Sequence, residues 1–123
     1  MIPFAAPPCL GAQGAVPMQD LPTPLELAAR IARAFDPERI LLFGSRARGD
    51  AKADSDFDLC VVMDTAAQPM SRAAPILGLF HPRTWSLDVV VYTPAETERL
   101  AQSRSSLWST ILREGKVLHD RSR

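Results

Sequence analysis

Two aspartates interrupt runs that are otherwise built for the inside of a sheet, and no other feature constrains the fold as much. Asp58 sits in Phe57-Asp58-Leu59-Cys60-Val61-Val62-Met63, and Asp88 in Leu87-Asp88-Val89-Val90-Val91-Tyr92. Runs of this length, rich in β-branched and aromatic residues, read as strands. A carboxylate near the start of such a strand is costly to bury unless it lies at an edge or binds something. Asp56 shares a face with Asp58, because side chains two apart on a strand point the same way. Side by side the two would repel, and one would keep its proton. A divalent cation resolves that conflict: Mg²⁺ takes hard oxygen ligands and combines one or two carboxylates with phosphate oxygens and water. If the strand of Asp88 lies next to that of Asp58, all three carboxylates converge. Asp56 and Asp58 can then bridge two Mg²⁺ ions while Asp88 holds one, so two metal sites are expected. A pair of solvated aspartates at a strand edge is the plainer alternative.

A second stretch supplies what such a site would act on. Ile40-Leu41-Leu42-Phe43 is a short apolar run, expected to be a central strand, and it ends in Gly44-Ser45-Arg46-Ala47-Arg48-Gly49. Ten residues separate Ser45 from Asp56. Glycine lets backbone approach a ligand closely, and N–H groups of a following helical turn point at an anion. The Ser45 hydroxyl adds a donor, and Arg46 and Arg48 add forked donors matched to phosphate oxygens. Taken alone, a Gly-Ser turn is as readily an ordinary turn. Paired with the carboxylates, it reads as half of a site for a metal-bound nucleoside triphosphate. The reaction expected there is in-line attack on phosphorus, driven by positioning and charge neutralisation.

The rest of the chain organises around these stretches. Residues 1–22 are rich in Pro, Ala and Gly without strand or helix period and are expected to be a flexible extension, leaving 23–120 as one domain. Thr23-Pro24-Leu25-Glu26 and Thr93-Pro94-Ala95-Glu96 repeat one helix-start pattern, a capping Thr, a Pro at the first helical position and a Glu that closes a capping box. The first helix is expected to bury Leu25, Ala28, Ala29, Ile31, Ala32 and Phe35, with Arg30 and Arg33 solvated, and to stop at Asp36-Pro37. A weaker helix is expected over 66–80, a third strand over 85–92, and helices over 93–104 and 106–114. Val117-Leu118-His119 reads as a last short strand. This order implies an α+β (mixed α/β) fold: a small mixed β-sheet with helices packed on one face.

Composition narrows the function. In 123 residues with a formal net charge of zero, a general nucleic-acid binder is disfavoured, since such proteins carry a basic excess. No apolar run reaches the length of a membrane span, and the N-terminus lacks the pattern of a signal peptide. Cys9 and Cys60 fall in unlike settings, so no disulfide or zinc site is expected and a cytoplasmic location follows. His81 and His119 are isolated and read as surface or packing residues. Trp85 and Trp108 read as core, and Tyr92, on the Asp88 face, as packing.

Together the motifs carry a resemblance. Gly44-Ser45, ten intervening residues and Asp56-Phe57-Asp58 resemble the Gly-Ser-x10-Asp-x-Asp signature of the polymerase β nucleotidyltransferase superfamily. Phe43 to Gly49 and Ser55-Asp56-Phe57-Asp58-Leu59 are similar to its minimal nucleotidyltransferase (MNT) branch. Ile111-Leu112-Arg113-Glu114-Gly115-Lys116-Val117-Leu118 is similar to the end of many such proteins, so the likeness spans about residues 25–119. The resemblance implies a polymerase β-like core in which Gly44 and Ser45 hold the triphosphate and Asp56, Asp58 and Asp88 bind metal. The positions of Arg46 and Arg48 are commonly basic or small in the family. It also implies a partner: MNT proteins are often paired with HEPN ribonuclease toxins, as antitoxins that transfer AMP from ATP to a toxin tyrosine. The size agrees, because the site and its sheet consume nearly the whole chain and leave little for an acceptor pocket. Transfer to an aminoglycoside-like small molecule, or neutralisation by binding alone, are the alternatives.

Overall fold

The computed structural model describes residues 21–52 and 54–122. The flexible extension expected at the N-terminus lies outside the described residues, apart from Leu21 and Pro22; Leu21 packs against the larger core.

Both Thr-Pro-x-Glu starts are realised as capping boxes. Thr23 caps α1 (Pro24–Phe35): its hydroxyl accepts from the Glu26 N–H at 3.1 Å, and the Glu26 carboxylate accepts from the Thr23 N–H at 2.7 Å. The buried stripe of α1 is Leu27, Ala28 and Ile31. Leu25, expected in that stripe, is 64% exposed; it lies across the helix from the arc that Leu27, Ala28 and Ile31 define. Arg30 is exposed, as expected, and also donates to the Leu79 carbonyl at 2.7 Å and rests over the Phe80 ring. Asp36 ends the helix in the left-handed region, with its N–H returned to the Ala32 carbonyl.

Then follow β1 (Arg39–Phe43), the short α2 (Ser45–Arg48) and β2 (Phe57–Val62). The helix expected over 66–80 is broken into a 3₁₀ turn (Pro69–Ser71) and α3 (Ala74–Gly78). The physical reason is proline: Pro69 and Pro75 lack the N–H that a helix interior needs and sit only in first turns. After β3 (Leu87–Tyr92) come α4 (Pro94–Leu100), α5 (Leu107–Glu114) and β4 (Lys116–Asp120).

The strands form one mixed sheet in the order β3-β2-β1-β4, with β2 and β3 parallel and β1 antiparallel to both β2 and β4. β1 is therefore central. Alternation splits the side chains between two layers. Ile40, Leu42, Phe57, Leu59, Val61, Leu87, Val89 and Val91 meet α1 and α3, while Leu41, Cys60 and Val62 meet Trp108 and Ile111 of α5. The α+β class with a mixed sheet is thus as expected. The larger helical layer covers one face, and α5 adds a smaller one on the other. No described helix is long and apolar enough to cross a membrane.

Candidate active site

β1 is an apolar strand that stops abruptly, and its end is where the site begins. Phe43 is the register partner of Asp58 across the β1–β2 ladder. The next residue, Gly44, turns the chain into α2 with φ of +76°. A Cβ on Gly44 would collide with Asp58 Oδ2. Two separate constraints thus demand glycine: the backbone angle, and the carboxylate lying directly on the peptide of the turn. Both the Ala47 and Arg48 N–H groups donate to the Gly44 carbonyl at 3.1 Å, so the turn closes on itself. Residues far apart in the chain, Gly44 and Asp58, thus meet in space.

The parallel pairing of β2 with β3 brings in the third carboxylate. Asp58 and Asp88 are register partners, and residues in register on neighbouring strands present their side chains to the same face. Asp56, two residues before Asp58, lies toward that face. Asp88 and Asp56 are exposed and Asp58 is half-buried. Burial raises the pKa of Asp58, the charge of Asp88 and then that of Asp56 raise it further, and Arg48 opposes them. Asp58 therefore feels both of the other carboxylates, as expected if the strands were neighbours. The donor set is all oxygen and anionic, and its most buried member is held short of easy ionisation; a hard divalent cation suits that chemistry. Among the described residues, no three ligand-type side chains close around a single point. The donors are gathered on one sheet face without being drawn into a cage.

The two arginines of the turn are used differently. The Arg46 guanidinium stacks over the Phe57 ring, 4.0 Å from its centroid, and donates to the carbonyls of Ser55 (2.9 Å) and Lys52 (3.2 Å). It ties the loop before Asp56 to the turn that carries Gly44. Arg48 lies between two carboxylates, Asp50 at 3.5 Å and Glu114 at 3.6 Å, and its charge reaches Asp58.

The remaining residues singled out in the sequence pack rather than react. Tyr92 meets Trp108 edge to face at 5.9 Å, and Trp85 meets both Phe57 and Phe80. Cys60 is buried, and its thiol is pushed up to about 12 by that burial. His81 is exposed, and His119 pairs with Ile40 in the β4 ladder. Sequence reasoning missed Glu114. Its position in the closing Arg-Glu-Gly stretch was the available signal, but nothing local tells which arginine it meets.

The chain matches the family described as "Polymerase beta, Nucleotidyltransferase" over residues 26–123. Among curated proteins, none matches the chain. Solved structures that share its fold include the following three. A protein from Sulfolobus solfataricus described as a "putative nucleotidyltransferase" is 22% identical, with a TM-score of 0.55 over 80% of this chain and 78% of that one. A toxin–antitoxin structure with AMP-PNP is 21% identical, with a TM-score of 0.58 over 80% and 74%. A mutant of the toxin–antitoxin pair MntA-HpeT is 19% identical, with a TM-score of 0.55 over 80% and 74%.

Proposed function

The chain belongs to the polymerase beta nucleotidyltransferase family, and from that premise we propose that it is a Mg²⁺-dependent protein adenylyltransferase and an antitoxin. Its substrate is ATP, and its acceptor is a tyrosine of a partner HEPN ribonuclease toxin, in the cytoplasm. One observation carries the reading: the Asp58 carboxylate lies on the backbone of the Gly44 turn while facing Asp88 in register. A triphosphate held at the turn is thereby held at the carboxylates. The toxin–antitoxin structures of the same fold, one of them with AMP-PNP, support the choice of partner and nucleotide.

In this reading Gly44 and Ser45 hold the triphosphate, and Arg48 offsets part of its charge. Arg46 keeps the Lys52–Ser55 loop in place beside them. Asp56, Asp58 and Asp88 hold Mg²⁺, which when bound neutralises phosphate charge and eases deprotonation of the acceptor. The tyrosine oxygen attacks the α-phosphorus in line, the bond to pyrophosphate breaks, and Asp88 receives the phenolic proton. A protein acceptor suits a chain that leaves Leu107, Leu112 and Val117 between 44% and 47% exposed on the two elements that meet beside the turn.

The test is mass spectrometry of the adjacent gene's product after incubation with this protein, ATP and Mg²⁺. AMP should appear on a tyrosine, and Asp56→Asn should abolish it. No added mass with the wild-type protein sinks the reading. Transfer to an aminoglycoside by the isolated protein would replace the acceptor. Neutralisation that survives Asp56→Asn without AMP transfer would replace catalysis with contact.

A further inference from the structure

The closing Arg113-Glu114-Gly115 stretch is not used by the reaction as described, yet it is placed against the turn. Gly115 ends α5 where a Cβ would come within 3.0 Å of the Leu42 carbonyl and would also collide with that of Ile111. Lys116, the next residue, is the register partner of Leu42. The end of α5 is therefore pressed onto β1 two residues before Gly44, so close that a side chain at Gly115 has no room. This fixes Glu114 beside the turn, on the face of the sheet that α5 covers. Cys60 and Val62 belong to that face, and so by alternation does Asp58.

From this placement we propose that Glu114 is a positioning residue for the nucleotide: it holds the Arg48 guanidinium on the carboxylate face, ready to meet the triphosphate. The inference rests on the nucleotidyltransferase reading above and adds to it a residue from the far end of the chain. Arg48 has two carboxylate neighbours, but they are not equivalent. Asp50 lies two residues away on the same turn and moves with Arg48. Glu114 lies on another element, anchored to β1, and alone of the two can fix the guanidinium relative to the sheet. The pair is not there for folding: its side chains are 48% and 38% exposed and its closest approach is 3.6 Å, a geometry that contributes little to stability. Pre-ordering is the use that remains. An arginine held in place loses less freedom when it binds an oxyanion than one that must be recruited from solvent.

The experiment is equilibrium titration of the full chain with Mg–ATP, alongside thermal melting without nucleotide. Glu114→Ala and Glu114→Gln should weaken Mg–ATP binding about tenfold while melting as the wild type does, and Glu114→Asp should recover part of the loss. In an Arg48→Ala background, Glu114→Ala should add nothing, because the two act as one unit. Binding by Glu114→Ala equal to or tighter than wild type overturns the inference, as does a full additional loss in the Arg48→Ala background. Wild-type protein that binds no Mg–ATP overturns the proposed function and this inference with it. Binding by the wild type that Glu114→Ala leaves unchanged overturns the inference alone.

Discussion

β3 meets charge near both of its ends and handles it in opposite ways. At its start, Asp88 faces Asp58, where burial and two like charges act against a single arginine. At its end, Arg72 is 9% exposed and paired with an acid and two carbonyls. Its guanidinium donates to the Val91 carbonyl at 3.3 Å, the Ala67 carbonyl at 3.1 Å and Glu96 at 2.7 Å. Glu96 in turn accepts from the Thr93 N–H, so the capping box of α4 and the ion pair share one carboxylate. The Arg72 end is arranged for the folded state by itself. The Asp58 end keeps an excess of like charge in the folded state, which the proposed cation would offset.

The largest expected effect separates these two ends by activity. Asp58→Asn should lower AMP transfer by about 10³-fold or more, since it removes a charge on which phosphoryl-transfer electrostatics depend. The same change should not harm the fold. With divalent metal chelated it should raise the melting temperature, because it removes a carboxylate whose charge is disfavoured by burial and by its neighbours. Loss of activity together with loss of stability would mean that Asp58 serves the core.

The next effect falls on the other end. Arg72→Met should destabilise the protein by about 2 kcal/mol, measured by urea unfolding, because it strands the Val91 carbonyl and leaves Glu96 without its ion-pair partner. Transfer per folded molecule should stay at the wild-type level. A variant as stable as wild type would show that the Arg72 network contributes no more than a surface pair.

A third prediction sets the two ends against each other by pH, with metal chelated. Asp58 has its pKa raised above 3.8 in the folded state. The folded chain therefore binds its proton more readily, and stability falls as pH rises from 3.8 through the raised value. Glu96 has its pKa lowered from 4.5, by the Arg72 side chain first and the Thr93 N–H next. Its contribution is fully present above 4.5 and is lost as pH falls through the lowered value. The two slopes oppose each other in acid. Asp58→Asn should abolish the first and Arg72→Met should weaken the second, where the Thr93 N–H bond remains, read from unfolding curves between pH 3 and 7. Unchanged pH profiles in both variants would defeat the comparison.

The two ends also differ in how far the sequence exposed them. The Asp58 end was legible because its parts carry local signals: a glycine where only glycine fits, and carboxylates at fixed spacing in apolar runs. Both capping boxes were legible for the same reason, since Thr, Pro and Glu act on the backbone within one turn. The Arg72 network was not. Arg72 lies in a stretch read as a weak helix, and its partners are 19 and 24 residues away, so only the closed fold brings them together. The Glu114–Arg48 pair, the Arg46 stack on Phe57 and the helix on the second sheet face escaped for that reason too. Periodicity tells which side of an element is apolar, not which neighbour covers it. Leu25 shows the limit on one helix: its spacing to Ala28, Ala29 and Ala32 favoured it over Leu27, yet Leu27 is the one the core covers.

The smallest effect tests the strand that joins the two ends. Cys60 lies on β2 two residues beyond Asp58, where the sheet face passes from carboxylates to the dry packing of Trp108 and Ile111. Burial is the leading influence on both side chains, but with opposite consequences for use. Asp58 is half-buried and can still meet a ligand, whereas Cys60 is fully enclosed and its thiol is pushed up to about 12. At pH 8 the thiolate, the only reactive form, is then a fraction of about 10⁻⁴. Iodoacetamide should leave Cys60 unmodified in the native protein, read on its peptide by mass, with no change in melting or in AMP transfer. The unfolded chain should react readily at the same position. Native labelling of Cys60 would place water at the second cluster, and the dry boundary that separates the site from the core would have to be drawn elsewhere.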